Sequence, residues 1–334
     1  MKHRWLGLLA IGAIAAGIVL PIALGGSAAL AAAMKLPIAG ALGLAGLAIA
    51  SAAARAVKIR LLAERLGHRI GVARALIVAF ASDAAFQATP AGAGGYPATI
   101  LLLRRGGVPA SAGVALSAAD QALNTALFAV ALPLACLLDL GDAVPASWHS
   151  LAWVPAAILI GAALVAVGAY RMRAAWLPPL RALGLRVRWL RERRERVRTF
   201  IAHVAADLAR LRSGSPFVTF ALVLAVAAQW IARYAALWLA LAALGHPLHF
   251  GLVFVAQSVA LHAAQWTGVP GGIGAGDIAL AAALSPWAPL AALAPALLLW
   301  RLTTFHAVLV LGAVAFACDR RETLPPMEPA EAEG

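Results

Sequence analysis

Ala88-Thr89-Pro90-Ala91-Gly92-Ala93-Gly94-Gly95 and Gly268-Val269-Pro270-Gly271-Gly272-Ile273-Gly274-Ala275-Gly276-Asp277 interrupt two long apolar runs with the same punctuation. Proline lacks the N–H that a continuing helix needs, and glycine relaxes the backbone toward turns. Inside a bilayer a break survives only where protein or a polar cavity satisfies the freed backbone groups. Paired interruptions at matching points of two halves point to a membrane transporter's binding region. Pro90, Gly92 and Gly94 align with Pro270, Gly272 and Gly274, so the two segments are candidate copies of one unit.

Around them the chain is apolar: 63% of 334 residues are hydrophobic and 12% charged, with a mean hydropathy of +0.87. A soluble domain carries about 25% charged residues, so the composition predicts an all-α polytopic membrane protein with no separate soluble domain. Cys136 and Cys318 each end an apolar stretch and form neither a disulfide framework nor a metal site. The net charge of +13 is concentrated. Twelve of the Lys and Arg residues fall between Arg171 and Arg212 and six between Arg55 and Arg74, as expected of cytoplasmic flanks of spans. A nucleic-acid role would need base-reading or stacking groups on a basic soluble fold, and none stands out.

Apolar spans are expected at about 5–24, 37–56, 113–138, 150–170, 217–244 and 288–317, six in all. Lys2 and Arg4 before Trp5–Leu24 resemble a signal peptide, but about 20 apolar residues suffice to span, so an uncleaved first helix is expected. Charge parity then decides the two broken stretches, 75–103 and 250–285. The loop 139–150 has two acids and no Lys or Arg and reads as outside, whereas 171–212 reads as inside. A single crossing by 75–103 would reverse both, against the positive-inside rule. A re-entrant hairpin with its tip at Pro90–Gly95 fits every loop. A second one at 250–285, entering from the opposite face, brings Arg320 and Arg321 inside.

The resulting plan is one membrane domain over 1–320, built as an inverted repeat of about 1–140 and 150–320, with both termini cytoplasmic. Residues 180–213, where arginines interleave with Leu185, Trp189, Leu190 and Phe200, read as an interfacial helix. Such a helix attracts anionic lipid headgroups, and a plain topology-fixing loop is the alternative. Residues 321–334 form an acidic tail expected to be disordered.

Ionisable groups within spans are costly and mark function by default. Asp83 and Gln87 lie one turn apart before Pro90, and Ser117, Asp120 and Asn124 form a stripe on the next span. Ser258, His262 and Gln265 share a face leading to Pro270. Gln229 and Arg233 share another, and Arg301 and Thr304 lie in the last span. A half-helix starting after a Gly-rich tip offers free N–H groups to an anion. With Arg233 and Arg301 such a site holds a phosphate near the midplane, the acids pairing with the arginines when it is empty; alternatively, permanent Asp–Arg bridges lock helices together. Neither metal-ligand spacing nor a Gly-x-Ser-x-Gly elbow occurs, so neither enzyme chemistry nor a cofactor is expected.

The pattern Pro270-x-Gly272-x-Gly274-x-x-Asp277, a span with Arg301 and a later Gly312, resembles the flippase-like membrane region of lysylphosphatidylglycerol synthases and its stand-alone bacterial relatives. Pro90-x-Gly92-x-Gly94-Gly95, followed by Leu101-Leu102-Leu103-Arg104-Arg105-Gly106-Gly107, resembles the first motif of that family. The resemblance implies a helical fold with re-entrant segments that moves a lipid across the bacterial cytoplasmic membrane. The family often has Glu at the position of Asp277. Where it has an acid and an arginine near the first tip, this chain has Tyr96 and Thr99, and Gln121 follows Asp120 where Arg is common. The first half therefore reads as having lost charges. The aminoacyl-transferase domain of the fused enzymes is not in this sequence, so lipid lysinylation is not expected.

On this reading Pro90, Gly92, Gly94, Gly95, Pro270, Gly271, Gly272 and Gly274 shape the translocation cavity. Asp277, Arg233 and Arg301 bind charge, and Asp83, Gln87, Asp120, His262 and Gln265 line the polar faces. A small-solute transporter of the same architecture, or a non-transporting partner of a lipid-synthesis enzyme, are the alternatives.

Overall fold

The computed structural model describes residues 2–137, 194–265 and 267–319, with Ala157, Gly161 and Arg171 singly. The span expected at 150–170, the basic block before Arg194 and the acidic tail lie outside these residues. The described part is helical, with no strand. In chain order its helices are α1 (Lys2–Met34), α2 (Ile38–Arg65), α3 (Val72–Ala88), α4 (Gly95–Arg105), α5 (Ala110–Leu137), α6 (Arg194–Arg212), α7 (Pro216–Ala243), α8 (Phe250–Gln265), α9 (Ala275–Leu284), α10 (Leu290–Arg301) and α11 (Ala307–Asp319). Five stretches are long and apolar enough to cross a membrane: Gly17–Met34, Ile38–Arg65, Ala110–Ala135, Pro216–Ala243 and Leu290–Asp319. The protein is a polytopic helical membrane protein.

Two helices outrun the expectation. The Ala-rich run after Leu24 keeps α1 helical to Met34, with a break at Gly26, where φ is 64°. α2 was expected to end near residue 56, yet it continues to Arg65. Arg55 and Lys58, read as flanking charges, are 7% and 0% exposed inside it. Carboxylates from other helices neutralise them, so the helix carries them within the protein rather than ending before them.

Two main cores result, each dominated by one half of the chain but taking residues from the other, such as Phe128 and Leu132 in one and Leu222 in the other. Ile59, Leu62, Val78, Leu102, Leu103 and Leu116 join α2, α3, α4 and α5. Leu237, Leu241, Val253, Leu280, Leu293 and Leu297 join α7, α8, α9 and α10. The halves meet where α2 packs along α7, α3 along α11 and α1 along α10.

Each broken stretch folds into a helical hairpin, α3 packing on α4 and α8 on α9. The arms of 17, 11, 16 and 10 residues rise about 15–25 Å, short of the roughly 30 Å hydrocarbon core. The base of the first hairpin is closed by one carboxylate. Asp319, fully buried at the end of α11, accepts hydrogen bonds from Arg74 at the start of α3 and Arg105 at the end of α4. The two ends of this hairpin therefore lie side by side.

Candidate functional site

Both tips are built alike. Pro90–Gly92 and Pro270–Gly272 are single 3-10 turns. The second and third residues of each turn take positive φ: Ala91 51° and Gly92 71°, Gly271 63° and Gly272 60°. That conformation costs a residue with a Cβ, so Ala91 is held there by its surroundings. The correspondence stops one step later, since Gly94 has φ −81° and Gly274 has φ +85°. The two turns touch each other. Gly92 and Gly95 lie against the Phe86 ring, with no room for a Cβ at either.

At the second tip a lock occupies the place where an anion was expected. Arg301 is 2% and Asp277 0% exposed. The guanidinium forks onto the carboxylate, Nε donating to Oδ1 at 2.6 Å and Nη2 to Oδ2 at 3.0 Å. Nη1 donates to the Gly271 carbonyl at 3.0 Å and Nη2 to that of Gly272 at 3.4 Å. The Gly274 N–H, at the head of α9, donates to Asp277 Oδ2 at 2.9 Å. A carboxylate in the first turn meets the free N–H groups and positive end of α9, leaving this helix start no vacancy for a phosphate. Arg301 also stacks over Trp300, 4.4 Å from its ring centroid.

Directly after Arg301 the last span takes a π-helical turn, Leu302–His306. π-turns free backbone carbonyls and cluster at functional sites. Gln87, on the first hairpin, donates to the Thr304 carbonyl at 3.1 Å. This joins the arm before tip one to the element that locks tip two.

A second cluster lies between α2, α3, α5 and α7. Arg55 Nη1 meets Asp83 Oδ1 at 2.5 Å, and its Nη2 donates to Ser82 Oγ at 3.1 Å. Lys58 pairs with Asp120 at 2.5 Å and donates to Asn124 Oδ1 at 3.0 Å, which also accepts the Trp230 indole N–H at 3.0 Å. Arg233 approaches Asp83 Oδ2 only to 3.8 Å. Tyr96 donates to Gln121 on α5. The first half has therefore kept its charges, on α2 rather than beside the tip. Arg55 and Lys58 escaped the sequence reading because they sit at the cationic end of a span; their one available signal was the pair of acids, Asp83 and Asp120, in the neighbouring apolar segments.

Arg233 and Arg301 do not form one phosphate clamp: Arg233 joins Asp83, while Arg301 is consumed by Asp277 and two carbonyls. His262 and Gln265 stand apart from both clusters, exposed at the end of α8. The His262 ring Nδ1 lies 2.6 Å from the Ser258 carbonyl, and the ring meets Phe128 edge-on.

The sequence model for the transmembrane region of lysylphosphatidylglycerol synthase matches residues 4–312. A UPF0104 membrane protein of Archaeoglobus fulgidus is 25% identical over 267 residues, covering 78% of this chain and 80% of its own length.

Proposed function

From its membership of the lysylphosphatidylglycerol synthase transmembrane-region family, which is a membrane region and not a catalytic domain, we propose that the chain is a lipid translocator. It moves a lipid with a polar or anionic headgroup across the cytoplasmic membrane. The observation that carries this reading is the contact between two Pro/Gly hairpin tips, flanked by buried charged clusters. Broken helices meeting inside a helical bundle are how transporters build a polar site away from water.

Both hairpins are re-entrant in this reading, entering from opposite faces as the central elements of an inverted repeat. Arms too short to span, and the Asp319 clamp at the base of the first hairpin, support it. So do the equivalent turns, Pro90–Gly92 and Pro270–Gly272, which meet each other. The headgroup passes along the polar faces beside the tips while its tails stay in the bilayer. Both termini lie on the cytoplasmic side, where the arginines gather, and the chain performs no covalent chemistry on its lipid.

The test is movement of headgroup-labelled lipids in proteoliposomes, against protein-free vesicles. Gly274→Leu and Gly272→Leu are expected to abolish movement while leaving membrane insertion intact. Gly274 holds φ 85°, ψ −75°, which a side chain resists, although the space beside it is open. Gly272 adds a contact of 3.0 Å between a new Cβ and Ala264 Cβ. Normal movement by both variants would exclude the tips from the path. Flux of a water-soluble anion without lipid movement would instead establish a solute transporter.

A further inference from the structure

A narrow cleft enclosing about 20 Å³ and open at its mouth lies between α2, α3, α7 and the last span, on the flank of the first hairpin. Its walls include Leu47 and Ala48 from α2, Asp83 from α3, Arg233 from α7, and Thr304 and Leu311 from the last span. Most of this lining is apolar, and Asp83 and Arg233 sit among alkyl side chains.

The charges do not balance. Among the described residues, Arg55, Lys58 and Arg233 face two carboxylates, Asp83 and Asp120. Lys58 takes Asp120 and Arg55 takes Asp83, each at 2.5 Å. Arg233 is left with the far oxygen of Asp83 at 3.8 Å and a distant ring contact to Trp230, and it makes no hydrogen bond to the described residues. Its side chain is 19% exposed, so water compensates it poorly. A guanidinium presents paired donors suited to a phosphate or carboxylate, and one held among apolar helices without a full counter-charge favours an incoming anion.

We propose that the anionic headgroup of a membrane lipid docks at the mouth of this cleft, its phosphodiester on Arg233 in place of Asp83, which stays with Arg55. This rests on the lipid-translocator reading and deepens it: the headgroup carries one net negative charge, matching the one surplus cation of this cluster among the described residues, and docks beside the first hairpin rather than at the locked second tip. A lipid is the occupant because the cleft is lined mostly by apolar side chains of apolar, span-length helices, and Leu311 on its wall is exposed at the outside of the helices.

The experiment is binding by the purified full chain in neutral detergent, titrated with phosphatidylglycerol, phosphatidylcholine or inorganic phosphate, with thermal unfolding checked for each variant. Arg233→Gln is expected to weaken phosphatidylglycerol binding by about tenfold or more and to affect phosphatidylcholine less, because its choline ammonium leaves no net charge to match Arg233. Asp83→Asn removes the internal competitor and is expected to tighten phosphatidylglycerol binding, a direction that a purely structural carboxylate would not produce. Unaltered phosphatidylglycerol affinity in Arg233→Gln would overturn the proposal, as would weaker binding by a normally folded Asp83→Asn. Inorganic phosphate competing at the affinity of phosphatidylglycerol would overturn the lipid assignment. Binding is read without transport, so the two failures separate: Arg233-dependent binding without lipid movement refutes the translocator alone, and movement with Arg233-independent binding refutes this site alone.

Discussion

Arg301→Met is expected to destabilise the protein by about 3–5 kcal/mol and to stop lipid movement, the loss typical of breaking a buried ion pair. The side chain supplies both oxygens of Asp277 and the carbonyls of Gly271 and Gly272 with donors. Methionine fills much of the volume but leaves a buried carboxylate facing apolar groups and two tip carbonyls bare. Adding Asp277→Asn removes the stranded charge while keeping an acceptor for the Gly274 N–H. The double variant should therefore recover part of the stability without recovering movement. Unfolding in detergent and a double-mutant cycle measure this, with an expected coupling of about 2 kcal/mol or more. Additive losses would mean that the two residues do not act as a lock. Arg301→Lys is expected to behave more like the methionine variant than the wild type, because an ammonium cannot reproduce the fork.

The second large effect is expected at Gly312, where α11 crosses α3. A Cβ there would come 2.7 Å from the Phe80 carbonyl oxygen and would overlap Ala84 Cβ. Backbone on one side and a helix methyl on the other leave nothing to swing away. Gly312→Leu must therefore push the two helices apart, at a cost of about 3 kcal/mol by overpacking. The displacement also strains the clamp one helical segment further on, where Asp319 holds Arg74 and Arg105. Gly46→Leu is the control: Gly46 has no atom within 4 Å of a new Cβ and faces outward from α2. The expected result is a much lower melting temperature and lost lipid movement for Gly312→Leu, with Gly46→Leu close to wild type. Equal melting of the two variants would show that the α3–α11 crossing tolerates separation.

Gly312 also shows how far local reading reaches. Its place in a motif is visible in the sequence, but its reason, the Ala84 methyl on a distant helix, is not. The hairpin tips were more legible. A proline followed closely by several glycines breaks a helix, whereas the lone Pro133 and Pro295 stay within helices, so the breaks at Pro90 and Pro270 follow from that local combination. The spans were legible for the same kind of reason, since crossing a hydrocarbon layer requires about 20 apolar residues in a row. The boundary of α2 was misread because a lysine or arginine near a span end ordinarily marks water. Only the partners of Arg55 and Lys58 reveal otherwise, and Asp83 lies 28 residues from Arg55.

By itself, then, the sequence determined that this is a helical membrane protein, approximately where the spans among the described residues lie, and where two of its apolar runs must break. Those properties arise from groups adjacent along the chain: hydropathy summed over a window, and missing or displaced backbone hydrogen bonds. The tertiary structure decided which acid each cation meets. It placed Asp277 on Arg301 and on the head of α9, gave Asp83 to Arg55 ahead of Arg233, and brought the two tips into contact. An ion pair in an apolar interior is chosen by what the packed helices bring within a few ångströms, and that distance is not encoded in spacing along the chain.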